Sequence, residues 1–412
     1  MMLSRRRLLA GSAALSAALT TPFVSRPAFA QTPTIKIGVL ADFSGLYTDL
    51  LGLPGVECAK QAVEEHLARD KSFSVEVVYA DHQNKADVGT AIVRRWFDND
   101  GVDMMLAGPN SSVELAASFV CKEKDKACLG VAVTSTDFTG KQCTPVAVNW
   151  TYDGYMFSKA VATETVKAGG KTWYFISSDN AFGNSLTEET TRFVEQAGGK
   201  VLGNAKAPLN SSDFSSFLLA AQSSGADVLA LSIGGSDMAV CVKQAGEFGL
   251  NRKMKITALV TFLGDIHAVG LNTMQGLLFT NSFYWDLNDR TRAFTKRVLP
   301  RMGGMYPGMT HAGCYGVTVH YLKAVAAMGA AAAKKSGAAV VAKMKEMPSD
   351  DDAFGPGTIR ADGRAALPAY LLQVKSPAES KGAWDYCKVV STASPEQATK
   401  PLAEVGCPLI KA

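Results

Sequence analysis

Ile35-Lys36-Ile37-Gly38-Val39-Leu40 is rich in β-branched residues and apolar almost throughout, and it reads as a buried strand. The segments after it fix the kind of sheet. From about Pro54 to Ala68, the residues Val56, Ala59, Ala62, Val63 and Leu67 recur at helical spacing, and Val75 to Tyr79 is the next strand. Ala86 to Phe97 is helical, with Val88, Ile92, Val93 and Trp96 on one face. Val102 to Ala107 is a strand, Ser112 to Lys124 a helix and Cys128 to Val133 a strand. Repeated β-α units of this length imply a parallel sheet with helices on both faces.

The alternation then begins again. Thr172 to Ile176 is a strand. Gly183 to Gln196 is a helix stopped by Gly198-Gly199, and Lys200 to Leu202 is a strand. Asp213 caps a helix carrying Phe214, Phe217, Leu218 and Ala221. Val228 to Ile233 and Ile256 to Val260 are further strands, and Gly276 to Thr280 leads back toward the first sheet. Helices follow at about Asp289 to Arg301 and Thr310 to Ala333. Thr358 to Arg360 and Tyr370 to Val374 form a hairpin around Ala361-Asp362-Gly363. The fold class is therefore α/β, with two doubly wound parallel-sheet lobes.

Ahead of the first strand lies a segment of another kind. Ser4-Arg5-Arg6-Arg7-Leu8-Leu9 opens it, an apolar stretch runs from Leu8 to Leu19, and Ala28-Phe29-Ala30 closes it. That is the order of a signal peptide, residues 1–30, cleaved after Ala30. The apolar stretch is too short to span a bilayer. The arginines resemble a twin-arginine signal, with an ordinary secretory signal as the alternative. Without this segment 38 basic residues face 38 acidic ones, so nothing points to nucleic acid. The remaining 382 residues exceed what one core usually serves, and no run of 18 apolar residues appears among them.

All eight cysteines follow the signal, and none forms a C-x-x-C pair. With five scattered histidines, neither a metal nor any other cofactor is expected. In an oxidising compartment some cysteines should pair. Cys387 and Cys407 flank a tail with little core of its own, which a bridge would staple. Cys121 with Cys128 is a second option, while Cys58 and Cys241 sit in helical patterns as buried thiols.

Several local strings carry a resemblance. Asp42-Phe43-Ser44-Gly45 after the first strand, Gly108-Pro109-Asn110-Ser111-Ser112, Asp179-Asn180-Ala181-Phe182-Gly183, Asp213 to Leu218 and Gly225-Ala226-Asp227-Val228 resemble, in this order and spacing, the periplasmic leucine/isoleucine/valine-binding proteins. These are type I periplasmic binding proteins that serve ABC importers, and the likeness runs from about Ile35 to Leu409. It implies a hinge of three crossings, near Trp150, Phe283 and Gly355, that closes around a ligand. Lobe 1 is then 31–150 plus 281–355, and lobe 2 is 151–280 plus 356–412. It further implies a monomeric periplasmic receptor for a small organic molecule, with the importer's membrane permease as its partner.

In open α/β sheets, ligands sit beyond the carboxyl ends of strands. Asn110, Ser111 and Ser112 lie there, before a helix, where hydroxyls and free backbone N–H groups suit a carboxylate, although either serine alone would serve as a cap. The resemblance adds Val133, Thr134 and Ser135 as further partners of that carboxylate. Tyr47, Tyr152 and Phe182 are candidates for an aromatic wall. Amino-acid receptors of the family pair the ligand's ammonium with an acid of the second lobe. Here Val260-Thr261 falls at that place, and Ser236 falls where an aromatic is common. A buried ammonium without an acid is costly. The expected ligand is a carboxylate with an apolar or aromatic body, or an amide; an amino acid would need Asp265 or Asp237. Two other classes compete. An enzyme would draw on Asp81-His82 or on Cys314 near His311, but no G-x-S-x-G string or Walker spacing is present. A sensor feeding a membrane receptor would use the same fold.

Overall fold

The computed structural model describes residues 32–410; the expected signal segment and its expected cleavage position lie outside them. The first sheet has five parallel strands in the order β2-β1-β3-β4-β5, with β1 Thr34–Ala41, β2 Ser74–Asp81, β3 Met104–Ala107, β4 Ala127–Gly130 and β5 Ala147–Asn149. Its helices are α1 Gly52–Leu67, α2 Ala86–Asp98 and α3 Ser111–Glu123. Ile37, Val39 and Leu40 of β1 are completely buried, as expected of a central strand covered on both faces. Gly38 lets α2 approach: a Cβ there would lie 2.6 Å from the Trp96 ring.

After α4 Gly154–Lys167 comes the second sheet, four parallel strands in the order β7-β6-β8-β9. These are β6 Thr172–Ser178, β7 Lys200–Ala207, β8 Val228–Ser232 and β9 Lys255–Ala258. Between and after them run α5 Ala181–Gln196, α6 Ser215–Ser223, α7 Gly235–Glu247, α8 Leu263–Val269 and the short α9 Leu271–Met274. Next come β10 Leu278–Asn281, α10 Asp289–Val298 and α11 Met309–Met328. The long helix expected to reach Ala333 breaks at Gly329 (φ 81°) and resumes as α12 Ala330–Ala333. α13 Gly337–Glu346 follows, then β11 Ser349–Asp351, β12 Gly355–Ile359, β13 Ala365–Ala366, β14 Ala369–Val374 and β15 Cys387–Ala393, and finally α14 Pro395–Ala398 and α15 Leu402–Val405.

Three expectations are corrected here. β10 does not return to the first sheet; it pairs antiparallel with β14, which also pairs with β15. The Asp362-Gly363 turn does make a hairpin, but the second arm is β13, because the chain after Ala366 turns away to join β10. β11 and α13 pack with α11, and β12 packs with α13. Cys407 pairs with Cys143, their Cα atoms 5.7 Å apart. Cys387 remains a thiol, buried at the start of β15 in register with Val374, while the tail carries Cys407 to the loop between β4 and β5. Cys121 and Cys128 are also unpaired and buried.

A buried cation joins the chain after β5 to the turn between β12 and β13. Arg364 is 2% exposed. Its Nε donates to Asp153 Oδ2 at 3.0 Å, and its remaining nitrogens donate to the carbonyls of Asn149, Trp150, Thr151 and Ala365 at 2.8–3.2 Å. Asp153 Oδ1 meanwhile caps α4, accepting from Met156 N at 2.9 Å. A guanidinium with every face engaged suits burial where an ammonium would not.

Candidate functional site

Between the two sheets, a narrow cavity opens beyond the carboxyl ends of β3, β4 and β8. On the first-sheet side it is lined by Asn110, Ser111 and Thr134, with Pro109 and Ala132 beneath. Tyr47 and Leu50 come from the loop after β1 and the turn beyond it. From the second-sheet side come Asn180, Phe182, Gly234, Val260 and Phe262, and Tyr152 enters from the first crossing. The lining contains no acidic or basic side chain.

Asn110 is the N-cap of α3; its Oδ1 accepts from Ser112 N at 3.0 Å and Val113 N at 3.3 Å. Ser111 is thereby free of capping. Its Oγ accepts from Thr134 N and Ser135 N, both at 3.2 Å, tying the loops after β3 and β4 together. Its own N–H, at the first helical position, has no intrahelical acceptor. Burial pushes the Tyr47 phenol well above its usual range, with the nearby Asp237 charge adding to the effect. Burial does the same to Tyr152, reinforced by Glu114, while the Thr134 hydroxyl opposes it. Both phenols stay protonated and able to donate. Tyr152 packs on Phe157 and Phe262, with centroids 4.6 and 5.9 Å away.

Of the eleven expected ligand residues, Tyr47, Asn110, Ser111, Thr134, Tyr152 and Phe182 converge on this cavity. The other five do not line it. Ser112 Oγ instead accepts from Ala181 N at 3.4 Å, across the cleft. Val133 is completely buried in the core beside Gly130, because its side chain points away from the loop surface. Ser135 is buried behind Ser111 and meets it through its backbone N–H. Ser236 lies one turn beyond the wall, its N–H directed at Leu46 O, 3.5 Å away; Gly234 fills the lining position, with Phe182 3.6 Å from where its Cβ would stand. Thr261 turns inward, its hydroxyl bonded to Ala258 O at 3.1 Å, so Val260 and Phe262 face the cavity. In an extended segment neighbours alternate sides, and the register is one residue from the expected one. The acids held in reserve are also displaced. Asp265 Oδ2 accepts from Phe262 N at 2.8 Å, and burial raises its carboxyl to about 7. Asp237 accepts from Asn210 N at 3.0 Å and is raised by burial to about 6.

The two sides of the cleft touch. Besides Ser112 and Ala181, Ser185 Oγ accepts from Thr136 N at 3.1 Å, and Thr134 O accepts from Gly154 N at 2.7 Å. Among the described residues, no group of three or more His, Cys, Asp or Glu side chains is placed to hold a metal ion. No described helix is long and apolar enough to cross a membrane.

Residues 34–383 match the family model described as periplasmic binding protein. The chain belongs to that family. A periplasmic binding protein from Burkholderia mallei is 41% identical, with a TM-score of 0.89, over 92% of this chain and 100% of that one. A branched-chain amino acid ABC transporter periplasmic ligand-binding protein from Burkholderia xenovorans LB400 is 36% identical, with a TM-score of 0.79, over 91% of this chain and 99% of that one. A solute-binding protein of an ABC transporter from R. palustris, in complex with benzoate, shares the fold at 18% identity and a TM-score of 0.80, over 91% of this chain and 99% of that one. No curated protein matches the chain in sequence. This binding protein thus has the α/β architecture of the solute receptors of ABC importers. Of the pair Val260-Thr261, Val260 is the one that lines the cavity, and the sequence reading missed Leu50, Pro109, Ala132, Asn180, Gly234 and Phe262 as lining residues. Only Asn180 carried a signal, as the capping residue just before Phe182.

Proposed function

We propose that this binding protein captures a small carboxylate with an aromatic or aliphatic body and presents it to the membrane permease of an ABC importer. The observation that carries the reading is the cavity lining: polar at Asn110, Ser111, Thr134 and Asn180, aromatic at Tyr47, Tyr152, Phe182 and Phe262, and without a charged side chain. Donors on one loop pair and rings opposite suit an anion with an apolar body. An ammonium would find no acid, because Asp265 is spent on capping α8 and Asp237 on Asn210. In this reading the protein is a monomer without catalytic activity and does not bind nucleic acid. It is exported by the 1–30 signal and cleaved after Ala30. One lobe is roughly 33–150 with 282–366, the other 151–281 with 367–410. Ligand binds the first lobe, and closure adds the second, stabilising the shut form by its differential affinity.

Isothermal titration of the mature protein with benzoate, short aliphatic acids, amides and leucine tests this. Binding of an acid in the micromolar range with leucine silent is the expected result; leucine binding with the acids silent would overturn it in favour of an amino-acid receptor, as the name of the Burkholderia xenovorans relative describes that protein. Two substitutions map the carboxylate. Ser111→Ala removes the hydroxyl lining the cavity and should weaken benzoate more than tenfold, about 1.4 kcal/mol. Ser112→Ala should weaken it less than about threefold, a few tenths of a kcal/mol, since Ser112 meets Ala181 and not the cavity.

A further inference from the structure

Asn180 is half-used. Its Oδ1 accepts from Gly183 N at 3.0 Å and caps α5, which fixes the orientation of the amide plane. The Nδ2 end is therefore turned away from the helix. It is buried and has no hydrogen-bond partner, although the residue lines the cavity. The Asn180 side chain lies close enough to the Tyr47 phenol to favour its ionised form, although Nδ2 does not meet it in hydrogen-bond geometry. A buried donor left unmatched is costly, so natural sites place an acceptor there. The acceptor's position is set by the residue after it: Ala181 N donates to Ser112 Oγ across the cleft, so Asn180 faces the first turn of α3, where Ser111 stands.

We propose that Asn180 Nδ2 donates to the ligand carboxylate from the second-sheet side, making Asn180 the specificity-determining residue that joins the two lobes through the anion and turns away an ammonium. This deepens the proposed function and rests on it for the carboxylate. One carboxylate oxygen takes the donors of the α3 turn and the loop after β4; the other takes Asn180. Because Oδ1 is committed to the cap, position 180 presents only N–H to the cavity, and a cationic group would meet donors there. Closure and anion recognition are then one event, since Asn180 reaches the carboxylate only when the second-sheet side closes against the first turn of α3.

Asn180→Asp tests this. Aspartate caps a helix as well as asparagine does, so α5 is retained, but the cavity end becomes an oxygen. Native and variant proteins are titrated with benzoate and with leucine, and their unliganded melting temperatures compared. If the native protein binds benzoate, the variant should lose roughly 30-fold or more in affinity, with its unliganded melting temperature within about 2 °C of native. If the native protein binds leucine instead, the aromatic reading fails but Asn180 is still tested, because leucine carries the same carboxylate, and a similar loss is expected. A variant that binds either probe within threefold of native overturns the role of Asn180. So does a variant that gains affinity for leucine, which would put the ammonium at 180. Binding of neither probe by the native protein overturns both the reading and the inference. Asn180→Ser, which keeps the cap and removes the amide, should lose roughly tenfold; no loss there counts against the proposal in the same way.

Discussion

Arg364→Met is expected to lower the stability of the protein by about 3–5 kcal/mol, the cost of leaving one member of a buried ion pair without its partner. Methionine keeps the length and apolar stem of the side chain, so the loss falls on the head group. Asp153, buried at the start of α4, would retain Met156 N but lose its cation, and the carbonyls of Asn149, Trp150, Thr151 and Ala365 would lose their donors. Each unsatisfied buried acceptor adds to the cost. Thermal unfolding followed by circular dichroism should show a midpoint lower by roughly 5–10 °C. Adding Asp153→Asn should recover part of the loss, because it removes the orphaned charge while keeping a cap. A single variant that melts with the native protein would mean that the first crossing is held by its apolar neighbours alone.

A second large effect depends on pH. Glu114 lies on the buried face of α3, and neither of its carboxyl oxygens has a partner. Burial raises this carboxyl to about 8, while the nearby Asn110 backbone N–H, outside hydrogen-bond geometry, opposes it weakly. An unfolded glutamate ionises near 4.3, so between about pH 4.3 and pH 8 the folded state holds a proton that the unfolded state has lost. The folded pKa is raised, so stability from this group is complete below the unfolded value and drains away as pH rises toward 8. Asp265, at about 7, acts in the same direction. The buried His311, lowered by burial to about 4, acts oppositely below about pH 6.5. Glu114→Gln separates these. Urea unfolding of both proteins should show the variant gaining on the native protein by on the order of 3 kcal/mol between pH 5 and pH 8. Histidines cancel because they are common to both. A difference that stays constant over this range would mean that Glu114 is already ionised in the fold.

The two sheets were legible because parallel strands covered on both faces leave near-continuous apolar runs separated by helical spacing, as at Ile35 to Ala68 and Thr172 to Gln196. Shorter or hinge-bound elements left no such mark. β5 has three residues, and α4 begins at a cap whose carboxylate is shared with Arg364, 211 positions away. The site divided the same way. Ser111, at a strand end and helix start, follows from the order of elements, while Phe182 follows from the aromatic-glycine string that carries the resemblance. Val260, Phe262 and Gly234 depended on a register that only packing sets, and a one-residue difference turned Thr261 away from the cavity. The disulfide was missed for a related reason: proximity in the tail suggested Cys387, whereas the fold brings Cys407 back to a loop 264 residues earlier.

That bond also restricts how far the molecule can open. The tail fixed to Cys143 on the first-sheet side continues along helices of the second: Lys159 donates to Gln397 O, Arg192 pairs with Glu404 and Lys400 with Glu189. A segment anchored covalently at one side and held by ion pairs at the other behaves as a tether of fixed length. Small rotations about the crossings leave it slack, while wide ones must break the charged contacts or pull on the sulfur bridge. In the closing motion proposed above, the closing stretch of the described chain would set part of the amplitude, well away from the cavity.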